Sequence, residues 1–162
     1  MDWVWGVDVS TRRVAVGKFS SKKTVRWESR DIPQDARGAQ RLARIRRATV
    51  DLCQQPVGLQ PRLVLVEDAN VGAAANKPLL QAVAVVFEAV FATLRCEVRE
   101  VPVGTWKKAT IGRGNAQKPE VMAFARGLGY TGDLQDEADA LVIASMALGE
   151  AMLPGAGFAA DA

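Results

Sequence analysis

Trp3-Val4-Trp5-Gly6-Val7-Asp8-Val9 is the stretch on which the fold turns. Its period-two spacing puts Trp3, Trp5, Val7 and Val9 on one face of a strand and Val4, Gly6 and Asp8 on the other. A segment this apolar reads as an interior strand, so Asp8 is an acid placed where acids are expensive, pointing away from the tryptophans. Moving outward, Arg13 to Phe19 and Thr24 to Ile32 read as two further strands. The short polar link Ser20-Ser21-Lys22-Lys23 joins them into an antiparallel hairpin or meander.

Beyond Ala36 the period changes. Leu42, Ile45, Thr49 and Leu52 recur at three- and four-residue spacing, which predicts a helix to about Gln54, stopped by Pro56 and Gly58. Leu63-Val64-Leu65-Val66 is a continuous apolar run ending in Glu67-Asp68, the pattern of a parallel strand buried on both faces, with its carboxyl end acidic. A helix from Pro78 to Leu94 and a strand from Glu97 to Val101, closed by Pro102, follow. Shorter helices are predicted over Gly104 to Thr110 and Pro119 to Leu128. The last helix runs from Asp136 to about Met152, with Ala138, Leu141, Val142, Ser145 and Met146 as its inward stripe. A meander followed by alternating helices and strands gives an α/β domain with a mixed sheet, whose sites gather at strand ends. One domain over residues 1–153 and a mobile tail over 154–162 are expected.

The chain has 162 residues, 49% of them hydrophobic, enough for one core. Histidine is absent, which removes Ser/His/Asp triads, His-ligated zinc and imidazole acid-base chemistry together. Cys53 and Cys96 read as reduced, structural thiols. The richest apolar stretch, Leu79 to Leu94, is interrupted by Gln81 and Glu88 and falls short of the roughly 20 residues of a bilayer span. With no signal-peptide pattern at the start, a soluble cytoplasmic protein without membrane partners is expected. Net charge is only +3, but residues 12 to 47 carry twelve Lys/Arg against Glu28, Asp31 and Asp35. A second basic group, Lys107, Lys108, Arg113 and Lys118, precedes the acidic stretch Asp133, Asp136, Glu137 and Asp139. Cations that hold a phosphate backbone beside carboxylates that hold a metal are what a nuclease needs; a solvated basic helix face is the alternative.

Singly, each acid has a modest reading: Asp8 a turn residue, Glu67 a strand-terminal acid, Asp136 a helix cap and Asp139 a first-turn carboxylate favoured by the dipole. In order they make a pattern: strand acid, strand acid, helix pair. Three-residue spacing puts Asp136 and Asp139 on one helix face about 5 to 6 Å apart. Four such carboxylates repel one another, and a divalent cation is the simplest thing that stabilises them.

Trp5-Gly6-Val7-Asp8, Leu65-Val66-Glu67 and Asp136-Glu137-Ala138-Asp139-Ala140-Leu141-Val142-Ile143-Ala144 resemble the three acidic motifs of RuvC-type Holliday-junction resolvases. The stretch from Lys107 to Lys118 is similar to that family's glycine-containing basic segment. The likeness spans roughly Trp3 to Ala151. It implies a ribonuclease-H-like fold, a mixed five-stranded sheet flanked by helices, and an endodeoxyribonuclease for four-way DNA junctions. It also implies metal-binding roles for Asp8, Glu67, Asp136 and Asp139 toward Mg²⁺ or Mn²⁺, two ions per site. Catalytic or phosphate-contacting roles follow for Lys107 and Lys118, and a homodimer for the assembly. DNA contacts are expected from Arg41, Arg44, Arg46, Arg47, Lys108 and Arg113, and from Asn70 in the loop after the second acid. Val83, Val86, Phe87 and Val90 are candidates for the dimer interface or the core.

One departure concerns that loop. Many relatives carry an aromatic residue there, whereas Glu67-Asp68-Ala69-Asn70-Val71-Gly72 has none, which points to looser selectivity for four-way junctions. A nuclease for branched, flapped or single-stranded DNA is therefore a rival reading, and a non-catalytic nucleic-acid-binding module is another. The sugar-kinase and actin-like branch would require a second, duplicated domain and a glycine-rich phosphate loop, which this sequence lacks.

Overall fold

The computed structural model describes residues 2–54, 58–69 and 76–151; the expectations for Asn70 and for the tail lie outside them. Three strands, β1 (Trp3–Val9), β2 (Arg13–Ser20) and β3 (Val25–Asp31), form the predicted antiparallel meander. After helix α1 (Gly38–Cys53) come β4 (Pro61–Glu67), helix α2 (Lys77–Leu94) and β5 (Glu97–Val101). β4 pairs in parallel with both β1 and β5, giving the order β3-β2-β1-β4-β5. Helices α3 (Val103–Ile111), α4 (Lys118–Leu128) and α5 (Gln135–Ala151) complete the α/β domain, a mixed five-stranded sheet with helices on both faces.

β1 sits at the centre of the sheet and is buried along its whole length. Its two faces feed two separate cores. Trp3, Trp5, Val7 and Val9 pack with Val64 and Val66 against Ile45 and Leu52 of α1 and Val83, Val86 and Val90 of α2. Val4 packs on the other face with Leu63, Leu65, Trp106 of α3, Val121 and Ala125 of α4, and Leu141 to Ala144 of α5. The alternation read from the sequence thus divides the helices: α1 and α2 lie on the tryptophan face, α3, α4 and α5 on the Asp8 face.

The α5 stripe is wider than its periodicity predicts. Ala140 to Ala144 are all buried, whereas Ser145 and Met146 are only partly so. The cause is that α5 lies between the sheet on one side and α3 and α4 on the other, so an amphipathic pattern is not required of it. Its seat is cut by two glycines. Gly6 and Gly17 are register partners across β1 and β2, and a Cβ on either would overlap the α5 backbone, at Ala140 and Ala144 for Gly6 and at Ala140 and Leu141 for Gly17.

α2 corrects the expectation that no segment nears spanning length. At 18 residues with mean hydropathy 1.5 it is long and apolar enough by those measures alone. Its apolarity has a use within the fold: Ala82, Val83, Val86, Val90 and Leu94 are buried in the first core and Ala89 is buried too, while Glu88 on the outer side pairs with Arg46. Of the residues weighed between core and interface, Val83, Val86 and Val90 are core and Phe87 is half-buried against it.

Candidate active site

The three acidic motifs meet at one end of the sheet. Asp8 follows Gly6 on the same face of β1, two residues nearer the carboxyl end, and is 6% exposed. β4 runs parallel to β1 with Val66 beside Val7, so Glu67 emerges at the same edge. The glycine seat brings the first turn of α5 down over that edge, and Asp136 and Asp139 both press electrostatically on Asp8.

Burial and mutual repulsion mark the cluster. Asp8 is held well above the usual carboxylate range, first by burial and then by the charges of Glu67, Asp139 and Asp136. Glu67 is pushed up to about 7, again by burial first and Asp139 next. Asp139 is raised by burial, and Lys107 and Lys118 draw it back down.

Each acid has a different protein partner. Asp8 and Glu67 face each other directly, each within reach of the other's charge. The indole N–H of Trp106 donates to Glu67 Oε2 at 2.9 Å, and Gln135 Nε2 donates to Asp139 Oδ1 at 2.7 Å. Arg13, at the start of β2, lies 3.5 Å from Asp136 Oδ2 and 2.7 Å from Asp31 Oδ1. Among the described residues, no three acidic or thiol groups enclose an ion as they stand. The donor set nevertheless suits a hard divalent cation: four carboxylates, with Asp8, Glu67 and Asp139 each raised first by burial, so that their ionised forms lack a compensating charge.

The lysines divide as follows. Lys107 on α3 acts on both Glu67 and Asp139, and Lys118, the first residue of α4, on Asp139. The sequence motif and the fold therefore put both beside the acids. Lys108 points elsewhere, lining a groove of about 680 Å³ with Pro102, Gly104, Thr105 and Ala109. Arg113 is engaged by Glu120, with Nη2 at 2.6 and 2.7 Å from its two carboxylate oxygens. Glu120 also receives the Gln117 N–H in a capping box that starts α4. Gly112 is the left-handed cap of α3 at φ 95°, and Gly114 packs close to Gly104, so both glycines have structural duties.

The α1 arginines are not brought to the acids. α1 lies across the sheet from α5; Arg44 pairs with Asp35, Arg46 with Glu88, and Arg41 Nε donates to the Ala36 carbonyl. Arg44 and Arg47 line a shallow groove with Arg30 and Asp31 at the β3 edge.

Sequence reasoning missed three residues around the acids. Arg13 shares the Asp8 face of the sheet, since β2 pairs Ala15 with Asp8, and its alternation with Ala15 and Gly17 was a usable signal. Gln135, one turn before Asp139, was another. Nothing local pointed from Trp106 to Glu67.

The fold has counterparts among solved structures. A Thermus thermophilus RuvC structure matches with a TM-score of 0.69 at 22% identity, covering 92% of this chain and 95% of that one. The fold is that of the RuvC-type resolvases. T. thermophilus RuvC in complex with a Holliday junction substrate matches with a TM-score of 0.70 at 20% identity, over 93% of this chain and 95% of that chain. The yeast mitochondrial Holliday junction resolvase matches with a TM-score of 0.55 at 12% identity, over 88% and 76%. In sequence, no family model and no curated protein matches the chain.

Proposed function

We propose that this protein is a divalent-metal-dependent endonuclease that cleaves four-way DNA junctions. The observation that carries the reading is the convergence of Asp8, Glu67, Asp136 and Asp139, from three separate motifs, at one sheet edge with Lys107 and Lys118 beside them. The likeness to RuvC bound to a Holliday junction substrate supports the choice of DNA. Asp8, Glu67, Asp136 and Asp139 would hold Mg²⁺ or Mn²⁺, two ions per site; such a pair, when bound, supplies Lewis-acid activation of water and of the departing 3′ oxygen. Lys107 and Lys118 offer fixed positive charge to the phosphate as negative charge grows on it. Arg13 sits at the rim, able to leave Asp136 for a phosphate. A homodimer, by placing two such sites on symmetric strands, would suit a four-way substrate.

Incubation with labelled four-way, flapped and linear duplexes in Mg²⁺, with cuts mapped on each, tests the reading. Cleavage of four-way junctions with some cutting of flaps is the expected result, because the sequence Asn70-Val71 offers no ring to wedge into the junction centre. Cutting confined to four-way junctions would remove the wedge argument. No cutting of any branched substrate would remove the nuclease.

The same carboxylates should couple metal to stability. A carboxyl with a raised folded pKa binds more protons folded than unfolded, so Glu67 makes the metal-free protein lose stability as pH rises from its ordinary 4.5 through about 7. Metal binding offsets that loss. At about a hundred times the dissociation constant it contributes roughly 2.7 kcal/mol, or about 5–10 °C in melting temperature for a domain of this size. The expected shift on replacing EDTA with Mn²⁺ is larger at pH 8 than at pH 5. A melting temperature indifferent to metal at pH 8 would rule out the metal centre.

A further inference from the structure

We infer that Trp106 is a positioning residue that sets the Glu67 carboxylate and the Lys107 ammonium relative to each other; this rests on the metal-centre reading above. Trp106 is fully buried in α3, and its single polar atom is spent on Glu67 Oε2 at 2.9 Å, 39 residues away in sequence. That bond fixes the carboxylate about its last torsion and occupies one oxygen, leaving Oε1 as the oxygen the indole does not hold. Partners that orient a metal's ligands in this way typically change metal affinity about 10–100-fold when removed. The ring does a second job. Lys107 Nζ lies 5.5 Å from the Trp106 ring centroid, within cation–π reach, so the flexible lysine has a seat on the same side chain that holds the acid. One buried indole thus ties an anionic and a cationic group of the site to the wall of the second core.

The protein carries its own control. Trp5 is equally buried on the opposite face of the sheet, but its indole N–H has no partner among the described residues. Trp5→Phe and Trp106→Phe therefore remove similar volume, and only the second removes a bond to Glu67.

The test is Mn²⁺ binding to the DNA-free protein by calorimetry, joined to single-turnover cleavage at saturating metal. Trp106→Phe, which keeps a ring for Lys107, is expected to weaken Mn²⁺ binding about tenfold or more and to regain most of its cleavage rate at high metal. Trp106→Leu, which loses the ring as well, should stay slow even when saturated. Trp5→Phe should bind Mn²⁺ as the wild type does. A wild type that binds no Mn²⁺ would overturn the metal centre and this inference together. A wild type that binds, with Trp106→Phe binding equally well, would overturn the inference alone. Should Trp106→Phe not fold, Mg²⁺ titration of the wild type followed by indole N–H resonances decides it. The Trp106 signal is expected to shift with the binding midpoint while Trp5 stays still, and an unmoved Trp106 signal counts against the proposal.

Discussion

Glu67→Gln and Asp139→Asn are each expected to lower junction cleavage by at least about 10²–10³-fold, the loss typical of removing one electrostatic contributor to a transition state, while DNA binding is retained. Both replacements are close in shape. A glutamine at position 67 would still present an oxygen to the Trp106 N–H, and an asparagine at position 139 could still pair with Gln135, so the local packing around the acids is kept. What disappears is a unit of charge in a place built to concentrate it. The same change should leave the metal-free protein more stable, not less, because Glu67 and Asp139 are both raised by burial and their ionised forms are costly at neutral pH. Melting in EDTA at pH 8 and single-turnover cleavage in Mg²⁺ are therefore expected to move in opposite directions. Appreciable turnover by either purified variant would sink the assignment of these acids, and so would a loss of activity explained by a collapsed melting temperature.

Gly17→Ala, like Gly6→Ala, is expected to destabilise this protein strongly. Its Cβ would overlap the Leu141 and Ala140 backbone of α5, and the neighbouring Gly6 would meet Ala140, Ala144 and, at 2.8 Å, the Ile143 Cβ. Side-chain clashes can be relieved by a rotamer change, but backbone clashes require the helix to move. Overpacking of this kind costs about 3 kcal/mol or more, which corresponds to a fall of roughly 6–12 °C in melting temperature. Because α5 carries Asp136 and Asp139, lifting it also withdraws two of the four acids from Asp8 and Glu67, so metal affinity should fall further than stability alone accounts for. Urea unfolding and Mn²⁺ binding measured on the same preparation check both halves. A Gly17→Ala protein with wild-type stability would mean that α5 does not sit on the sheet where the two glycines place it.

Much of the site was legible in the sequence because its motifs are local. Period-two alternation in β1 separated Asp8 from the tryptophans, the apolar run of β4 announced Glu67 at its end, and three-residue spacing paired Asp136 with Asp139. The basic segment between Lys107 and Lys118 likewise delivered two lysines to the acids. The α1 arginines show the limit of the same method. Helical periodicity tells that Arg44, Arg46 and Arg47 avoid the core, but not on which side of the sheet their helix lies, and they lie opposite the carboxylates.

Local patterns were enough for the order of strands and helices along the chain and for singling out the four candidate acids, since each of these readings depends on residues within one or two turns of each other. How those pieces meet is a matter of long-range packing. The Gly6–Gly17 seat joins two strands and a helix, Arg13 reaches Asp136 across 123 residues, and Trp106 reaches Glu67 across 39. Such contacts follow from which sheet face each crossover puts its helix on and how closely backbones can approach, and no local period of apolar and polar residues encodes either.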